Sequence, residues 1–170
     1  TGGEPGGHVS FYHEEGEVKE GVSVNINVRP AIPKVGENSI LDFFVNLKPG
    51  NIGVPASELE IQHEKKMHVI GVRKDLNEFF HIHPASVGIT GTVVNPRGEL
   101  AHLPITEATP GLLTTTYMFQ KPGEYKIWSE IKYKGQNHAF GHPIISLAGE
   151  GPRFELQKEV ATNKIIGNYQ

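Results

Sequence analysis

Short apolar runs, separated by turns that contain proline and glycine, recur along this chain at spacings of roughly 8–12 residues. The run Val22–Val28 (VSVNINV) alternates apolar and polar side chains with period two, which is typical of a half-buried strand. The run Ser39–Leu47 (SILDFFVNL) is mostly apolar and is predicted as a central strand. No run has a clear helical periodicity over more than two turns. The pattern therefore predicts an all-β fold of about eight short strands, a sandwich or a barrel.

The remaining predicted strands are the segments 59–62, 67–73, 78–83, 86–95, 114–120, 124–133 and 138–147. A length of 170 residues fits one domain of ordinary size. We predict a flexible N-terminal lead over residues 1–20, a β-sandwich domain over 21–150, and a C-terminal extension over 151–170 that forms a strand or a short helix. The glycine-rich start TGGEPGG resembles the tether after a cleaved signal or lipid-anchor site.

The composition excludes several classes of site. The chain has no cysteine, which excludes disulfides, zinc–thiolate sites, iron–sulfur clusters, a cysteine nucleophile and a blue-copper centre with its thiolate ligand. The formal net charge of −3 gives no electrostatic reason to expect a nucleic-acid partner. No segment approaches the ~20 apolar residues of a membrane span. The unusual component is histidine, with nine residues.

A histidine-rich hairpin is the most informative part of the sequence. Strands 67–73 and 78–83 flank a predicted turn at Lys74–Asn77. If Val72 lies opposite Phe79, positions that sum to 151 pair across the hairpin. His68 then faces His83. The stretch 62–84 also carries further histidines, and its full set is His63, His68, His81 and His83.

The hairpin register places three imidazoles on one face of the predicted sheet. His81 and His83 share a face because side chains alternate along a strand, and His68 joins them from the partner strand. A single histidine in such a place is usually a core or surface residue. Three together repel one another when protonated, and a metal ion would relieve that repulsion. A slip of one residue would move His68 to the opposite face.

A fourth ligand is left open by the sequence. His63 precedes the strand and could swing towards the site. His138 and His142 follow the turn at Lys134–Asn137, and either could complete a four-coordinate site from a neighbouring strand. His142 is slightly preferred, because its following proline repeats the context of His83. The other histidines are interpreted as tail and loop residues, namely His8, His13 and His102.

Two further expectations concern side chains away from these histidines. Asp75 and Glu78 are interpreted as solvated residues of the hairpin turn. Trp128, Tyr125 and Phe119 are expected to build the core of the sandwich.

Nitrogen-rich ligation without a thiolate suits Cu(II) or Zn(II), and Ni(II) less well. The Irving–Williams order favours copper at such a site, with zinc as the alternative. Met67 is predicted to point away from His68, into the core, because neighbouring side chains of a strand face opposite ways.

The stretch MHVIGVRKDLNEFFHIHP resembles small extracytoplasmic cupredoxin-like domains of bacteria and archaea. These carry a Met-His strand, an Asp-Leu turn, a Phe-x-His-x-His-Pro segment and a later Pro-Gly-Glu-Tyr strand, which is present here from Pro122. The resemblance covers residues 20–148 and implies a Greek-key β-sandwich, cupredoxin-like or immunoglobulin-like. It also implies an extracytoplasmic role in copper or other metal handling, with His68, His81 and His83 as ligands.

Phe80-His81-Ile82-His83 also resembles the copper-binding strand of copper–zinc superoxide dismutases, which are Greek-key sandwiches. That resemblance implies a distant histidine ligand, here His138 or His142. Pro84 departs from that family's pattern, as does the missing disulfide. The zinc subloop is not recognisable, and Arg153 is the one candidate for the active-site arginine.

Three functions follow as expectations. The first is copper binding for delivery, storage or sensing, without turnover, with a membrane transporter or an acceptor metalloprotein as partner. The second is a redox enzyme of the dismutase type. The third is a structural or interaction sandwich whose histidines form a polar network.

Overall fold

The computed structural model describes residues 10–89, 92–102 and 106–149. These residues form sixteen strands and one short 3-10 turn at Ala56–Glu58, with no α-helix among them. The strands are β1 Ser10–Glu14, β2 Gly21–Arg29, β3 Asn38–Lys48, β4 Ile52–Gly53, β5 Leu59–Glu60, β6 Met67–Arg73, β7 Phe79–Ile82, β8 Ala85–Ser86, β9 Gly88–Ile89, β10 Thr92–Val94, β11 Leu100–His102, β12 Thr106–Glu107, β13 Leu112–Met118, β14 Gly123–Tyr133, β15 Gln136–Gly141 and β16 Ile145–Leu147. No helix of this part of the chain is long and apolar enough to cross a membrane.

Two main sheets form a β-sandwich, which confirms the predicted fold class. The first sheet has the order β1-β15-β14-β6-β7, and β5 and β16 also pair with β14. The second has the order β2-β3-β13-β8, with β4 on the edge of β3. Two short ladders, β10 with β11 and β9 with β12, complete the described strands.

The core lies between the two sheets and is built by period-two alternation. Along β14, Tyr125, Ile127, Ser129 and Ile131 are at most 1% exposed, whereas the residues that alternate with them face outward. The second sheet contributes Phe43 and its buried neighbours from the facing side. Every second residue of β14 therefore belongs to the outer face of the first sheet, and that face is where the side chains available for binding lie.

The predicted strands at 86–95 and 138–147 are each divided. Ser86 pairs with β13 but Gly88 pairs with β12, so the chain changes partners between them. The second strand breaks after Gly141, and its continuation β16 pairs with the start of β14. Repeated changes of partner explain why the described strands outnumber the predicted ones.

The structure also differs from the prediction at the N-terminal side. Ser10–Glu14, within the predicted flexible lead, forms β1 and pairs in parallel with β15 at the edge of the first sheet. Its side chains are exposed or half-buried on both faces, the aromatic rings of Phe11 and Tyr12 included, so its sequence lacks the apolar alternation that marks a half-buried strand. The predicted C-terminal extension over 151–170, together with Arg153, lies outside the described residues.

Trp128 was expected in the core but lies half-buried on the outer face. It alternates with Ile127 and Ser129, which are fully buried and set the inner face of β14. Tyr125 and Phe119 are both fully buried, as predicted. The large apolar side chain was therefore a poorer guide to the core than the period of the strand.

Glu78 is buried, which corrects its interpretation as a solvated turn residue. It is 9% exposed and lies between Tyr117 of the second sheet and Tyr125 of the first. Both phenol hydroxyls donate to its carboxylate, that of Tyr125 over 2.5 Å, and the backbone N–H of Gln120 donates over 3.1 Å. Burial, together with this carboxylate, raises the pKa of both tyrosines. The carboxylate thus links the two sheets beside the histidine hairpin.

We expect the substitution Glu78→Ala to lower the free energy of unfolding by about 2–3 kcal/mol. The partly buried Tyr117 hydroxyl and the Gln120 N–H lose their acceptor, and the Tyr125 hydroxyl keeps only the Lys121 carbonyl. Urea unfolding followed by tryptophan fluorescence measures the change. The matched control is Glu124→Ala, which removes an exposed carboxylate paired with Lys74 at 3.5 Å and should cost well under 1 kcal/mol. Equal losses for the two variants would contradict the linking role of Glu78.

Candidate metal centre

The histidine hairpin has the predicted register. β6 pairs with β7 through Val69–Ile82, Ile70–His81, Gly71–Phe80 and Val72–Phe79, so paired positions sum to 151. The next pair beyond this ladder is His68 with His83. Met67 is fully buried and points into the core, as predicted, so His68 points outward.

Three imidazoles meet on the outer face of the first sheet. We call His68, His81 and His83 the triad. One ring nitrogen from each lies within 4.8 Å of the other two. His68 Nδ1 is 3.3 Å from His81 Nε2, and the ring centroids of His81 and His83 are 4.7 Å apart. Metal–nitrogen bonds of about 2.0–2.1 Å in a tetrahedral site separate the ligand nitrogens by about 3.3–3.4 Å. The triad can therefore hold a metal ion with little movement.

The tautomer of His68 follows from its second hydrogen bond. His68 Nε2 lies 2.7 Å from the backbone oxygen of Gln62. A carbonyl oxygen only accepts, so Nε2 carries the proton and donates it. The lone pair of His68 is then on Nδ1, the nitrogen that faces His81. Metal-binding histidines typically donate their other N–H to a carbonyl or a carboxylate in this way, which fixes the ring and the coordinating nitrogen.

The surroundings of His83 favour its neutral form. Burial lowers the pKa of His83, and positive charge on His68 and His81 lowers it further, against a raising effect of the hydrogen bond to the Met67 backbone. The neutral form is the one that binds a metal. His68 is 9% exposed, whereas His81 is exposed to solvent. The triad is thus anchored at His68 and open at His81.

Phe80 positions β7, the strand that carries His81. Its ring lies directly over Gly71, where a Cβ atom would overlap the ring. On its other side the ring stacks on Tyr117, with centroids 3.9 Å apart. Phe80 is 6% exposed, so its burial turns the two neighbouring positions of β7 outward. Packing of an apolar residue therefore orients the histidine next to it.

A groove of about 330 Å³ opens beside the triad on the outer face. Glu130 is the acidic residue of its lining, and it lies directly across from His68 in the ladder of β14 with β6. Ser10 Oγ donates to the Glu130 carboxylate over 3.2 Å. The lining residues are Ser10, Gln62, His63, His68, Ile70, His81, Glu130 and Asn137. The groove gives solvent and small ligands access to the triad.

His63 lies at the rim of this groove. It occupies a tight turn closed by two backbone hydrogen bonds between Gln62 and Lys65, with φ of +47°. Its ring centroid is 6.0 Å from that of His68, in an edge-on orientation. It is therefore near the triad without belonging to it.

His142, predicted as a further ligand, is not brought to the triad. It is fully buried in the core, where Nε2 lies 2.8 Å from Ser129 Oγ and Nδ1 lies 2.7 Å from Glu15 Oε1. Both ring nitrogens thus have protein partners. Among the described residues, the triad is the one group of three or more histidine or acidic side chains whose ligand atoms lie close enough together to hold a metal ion.

His138 also lies apart from the triad. It pairs with Ile131 of β14, an inward residue, whereas His68 pairs with the outward Glu130. Its partner is His13, which was interpreted as a tail or loop residue because strand β1 was not predicted. The alternation that places Phe11 and His13 on one side of β1 is the sequence pattern that could have indicated this strand.

Comparison with known proteins places the chain in a protein family and shows similarity to a solved structure. Residues 16–146 match the protein family described as a domain of unknown function, DUF8832. No curated protein matches the chain. The crystal structure of the human F-spondin reeler domain (fragment 1) is similar over 82% of this chain and 95% of that chain, with 13% sequence identity and a TM-score of 0.42.

Glu15 provides a test of the structural role assigned to His142. Burial acts to raise the pKa of Glu15, but hydrogen bonds from His142 and from the Ile26 N–H outweigh it and hold the pKa below 4.5. A lowered pKa contributes stability that is present above pH 4.5 and is lost as the pH falls through the folded-state value. We expect Glu15→Gln to reduce the loss of stability between pH 6 and pH 3.

Urea unfolding at these two pH values, with metal-free protein, measures this effect. The control Glu37→Gln changes an exposed carboxylate and should leave the pH dependence as in the parent. An unchanged pH dependence in Glu15→Gln would contradict the assignment of a bonded pair in the core.

Proposed function

This chain belongs to the DUF8832 family, and we propose that it is a copper-binding protein that holds one ion at the triad for delivery, storage or sensing. The observation that carries the proposal is the hydrogen bond from His68 Nε2 to the Gln62 carbonyl. It directs the lone pair of Nδ1 towards His81 before any metal arrives. A polar core network would not need three imidazoles gathered at an exposed surface.

Copper is favoured by the chemistry of the donors. The triad supplies three neutral nitrogen ligands and no thiolate, which suits Cu(II) or Zn(II). Cu(II) binds such sites more tightly than Zn(II) in the Irving–Williams order. Zinc remains the alternative ion. Water or a ligand in the adjacent groove would take the next coordination position, with His63 as the nearest further imidazole.

A role in metal transfer is supported by the exposure of the triad. His81 lies open to solvent beside the groove, so an incoming ligand from an acceptor can reach the ion while His68 still holds it. The partner in this proposal is an acceptor metalloprotein or a membrane transporter, in an extracytoplasmic compartment. The extracytoplasmic location is inferred from the resemblance to cupredoxin-like domains. The acceptor partner is inferred from the exposure of the triad at His81.

A dismutase is disfavoured by the charge at the groove. Superoxide is an anion, and rapid capture of an anion requires a cationic guide residue near the metal. The groove instead presents the carboxylate of Glu130. Neither His138 nor His142 takes the place of the distant copper ligand, because both lie on the inner side of the sheet. Binding without turnover therefore agrees better with the described residues.

We expect the double substitution His81→Ala/His83→Ala to reduce Cu(II) and Zn(II) affinity more than about 100-fold, since loss of a direct ligand costs more than loss of a supporting residue. Isothermal titration with a competing chelator measures the affinity. The matched control is His102→Gln, which removes a histidine of β11, outside both main sheets, and should leave both affinities unchanged. Retention of tight Cu(II) binding by the double variant would refute the site.

Bound metal should also raise the stability of the parent protein, by about 2.7 kcal/mol at a free metal concentration of one hundred times Kd. Thermal melting with and without Zn(II) shows the effect, and the double variant should show none.

The Cu(II) protein should give an EPR spectrum with hyperfine splitting from imidazole nitrogens. A Cu(II) spectrum without nitrogen splitting would contradict ligation by the triad.

A further inference from the structure

A second pair of histidines lies at the edge of the first sheet. We call His13 and His138 the edge pair. His13 Nε2 lies 3.3 Å from His138 Nδ1, across the parallel ladder of β1 with β15. The ring centroids are 5.6 Å apart with an interplanar angle of 20°. The separation of the ring centroids exceeds that of the two nitrogens by about two imidazole ring radii. Each facing nitrogen therefore lies on the line that joins the two centroids and points at the other ring.

The edge pair lies on the inner side of the sheet, away from the triad. His138 is opposite the inward Ile131, and His68 is opposite the outward Glu130 on the same strand. Aromatic rings flank the pair, with Phe140 centred 5.1 Å from His13 and Phe11 centred 5.7 Å from His138. Among the described residues, the contact between these two nitrogens is the one hydrogen bond that either ring makes.

We infer that the edge pair is a second metal site, selective for a soft monovalent ion such as Cu(I) or Ag(I). When the proton between the rings moves to the outer nitrogen of its own ring, two opposed lone pairs remain. They offer linear two-coordinate ligation, a geometry that Cu(I) and Ag(I) adopt readily. Zn(II) prefers four ligands, which the edge pair does not provide. The apolar rings around it disfavour a strongly hydrated divalent ion, and their faces attract a cation.

The fold allows the small movement that binding requires. With bonds of about 2 Å the two nitrogens would be about 4 Å apart, which is wider than the 3.3 Å between them. β1 is the edge strand of the sheet and pairs there with β15. A shift of β1 by less than 1 Å therefore opens the pair without disturbing the core.

The experiment uses Ag(I), which does not change oxidation state, and the full chain with His81→Ala/His83→Ala so that the triad is disabled. Titration calorimetry in a chloride-free buffer should show one tight Ag(I) equivalent. Adding His13→Phe should weaken it more than about 100-fold. Adding His63→Ala instead, a histidine away from the edge pair, should leave the affinity unchanged. His13→Gln is the second variant, for the case that His13→Phe does not fold.

Two results would overturn the inference. One is an Ag(I) affinity that is unaffected by either change at His13. The other is the absence of a tight Ag(I) equivalent together with ¹⁵N spectra that show a proton shared between the two rings. That result would mean that the edge pair forms a hydrogen bond and no metal site. Failure of the triad proposal is separate, because it appears as weak Cu(II) and Zn(II) binding by the parent protein.

Discussion

The pairing of β14 with its two neighbours determines which face of the first sheet His68 and His138 occupy. β14 pairs with β6 on one side and with β15 on the other, and each pairing holds partners on the same face. Glu130 therefore brings His68 to the outer face, while the next residue, Ile131, brings His138 to the inner face. A slip of one residue in either ladder would exchange these faces and separate the histidines from their partners. The buried alternation along β14 prevents such a slip, because it would expose the apolar side chains of the strand to water.

The hairpin register could be predicted from sequence because its information is local. The strands 67–73 and 79–82 are close in the chain, and the turn between them fixes which residues pair. The position of His142 could not be predicted in this way, since its partners come from distant segments. Ser129 is on another strand, and Glu15 follows a strand that lacks apolar alternation. Local pattern determines which residues share a face of one strand, whereas contacts between distant strands depend on the packing of the whole sandwich.

Two carboxylates, the buried Glu78 and the half-buried Glu15, show the same limit. Glu78 was interpreted as a solvated turn residue, and Glu15 falls within the predicted flexible lead. In the structure Glu78 accepts from two tyrosines and a backbone N–H, and Glu15 accepts from His142 and the Ile26 N–H. A buried carboxylate is tolerated only when its oxygens have such donors. The donors to Glu78 come from both sheets, and Glu15, next to β1, accepts from β2 and from the residue after β15. These networks therefore link elements that lie far apart in the chain.

The rigidity of this framework matters for a surface site. Three flexible histidines would lose conformational entropy on binding a metal, and that loss would reduce the affinity. Here the Gln62 carbonyl already holds the ring of His68, and Phe80 on Gly71 already orients the strand of His81. Most of the conformational entropy of these side chains is therefore lost during folding and not on metal binding. The exposed face of His81 leaves the ion accessible to an exchanging ligand. A site that is ordered by the core beneath it and open above it combines useful affinity with release, which is what transfer of a metal between proteins requires.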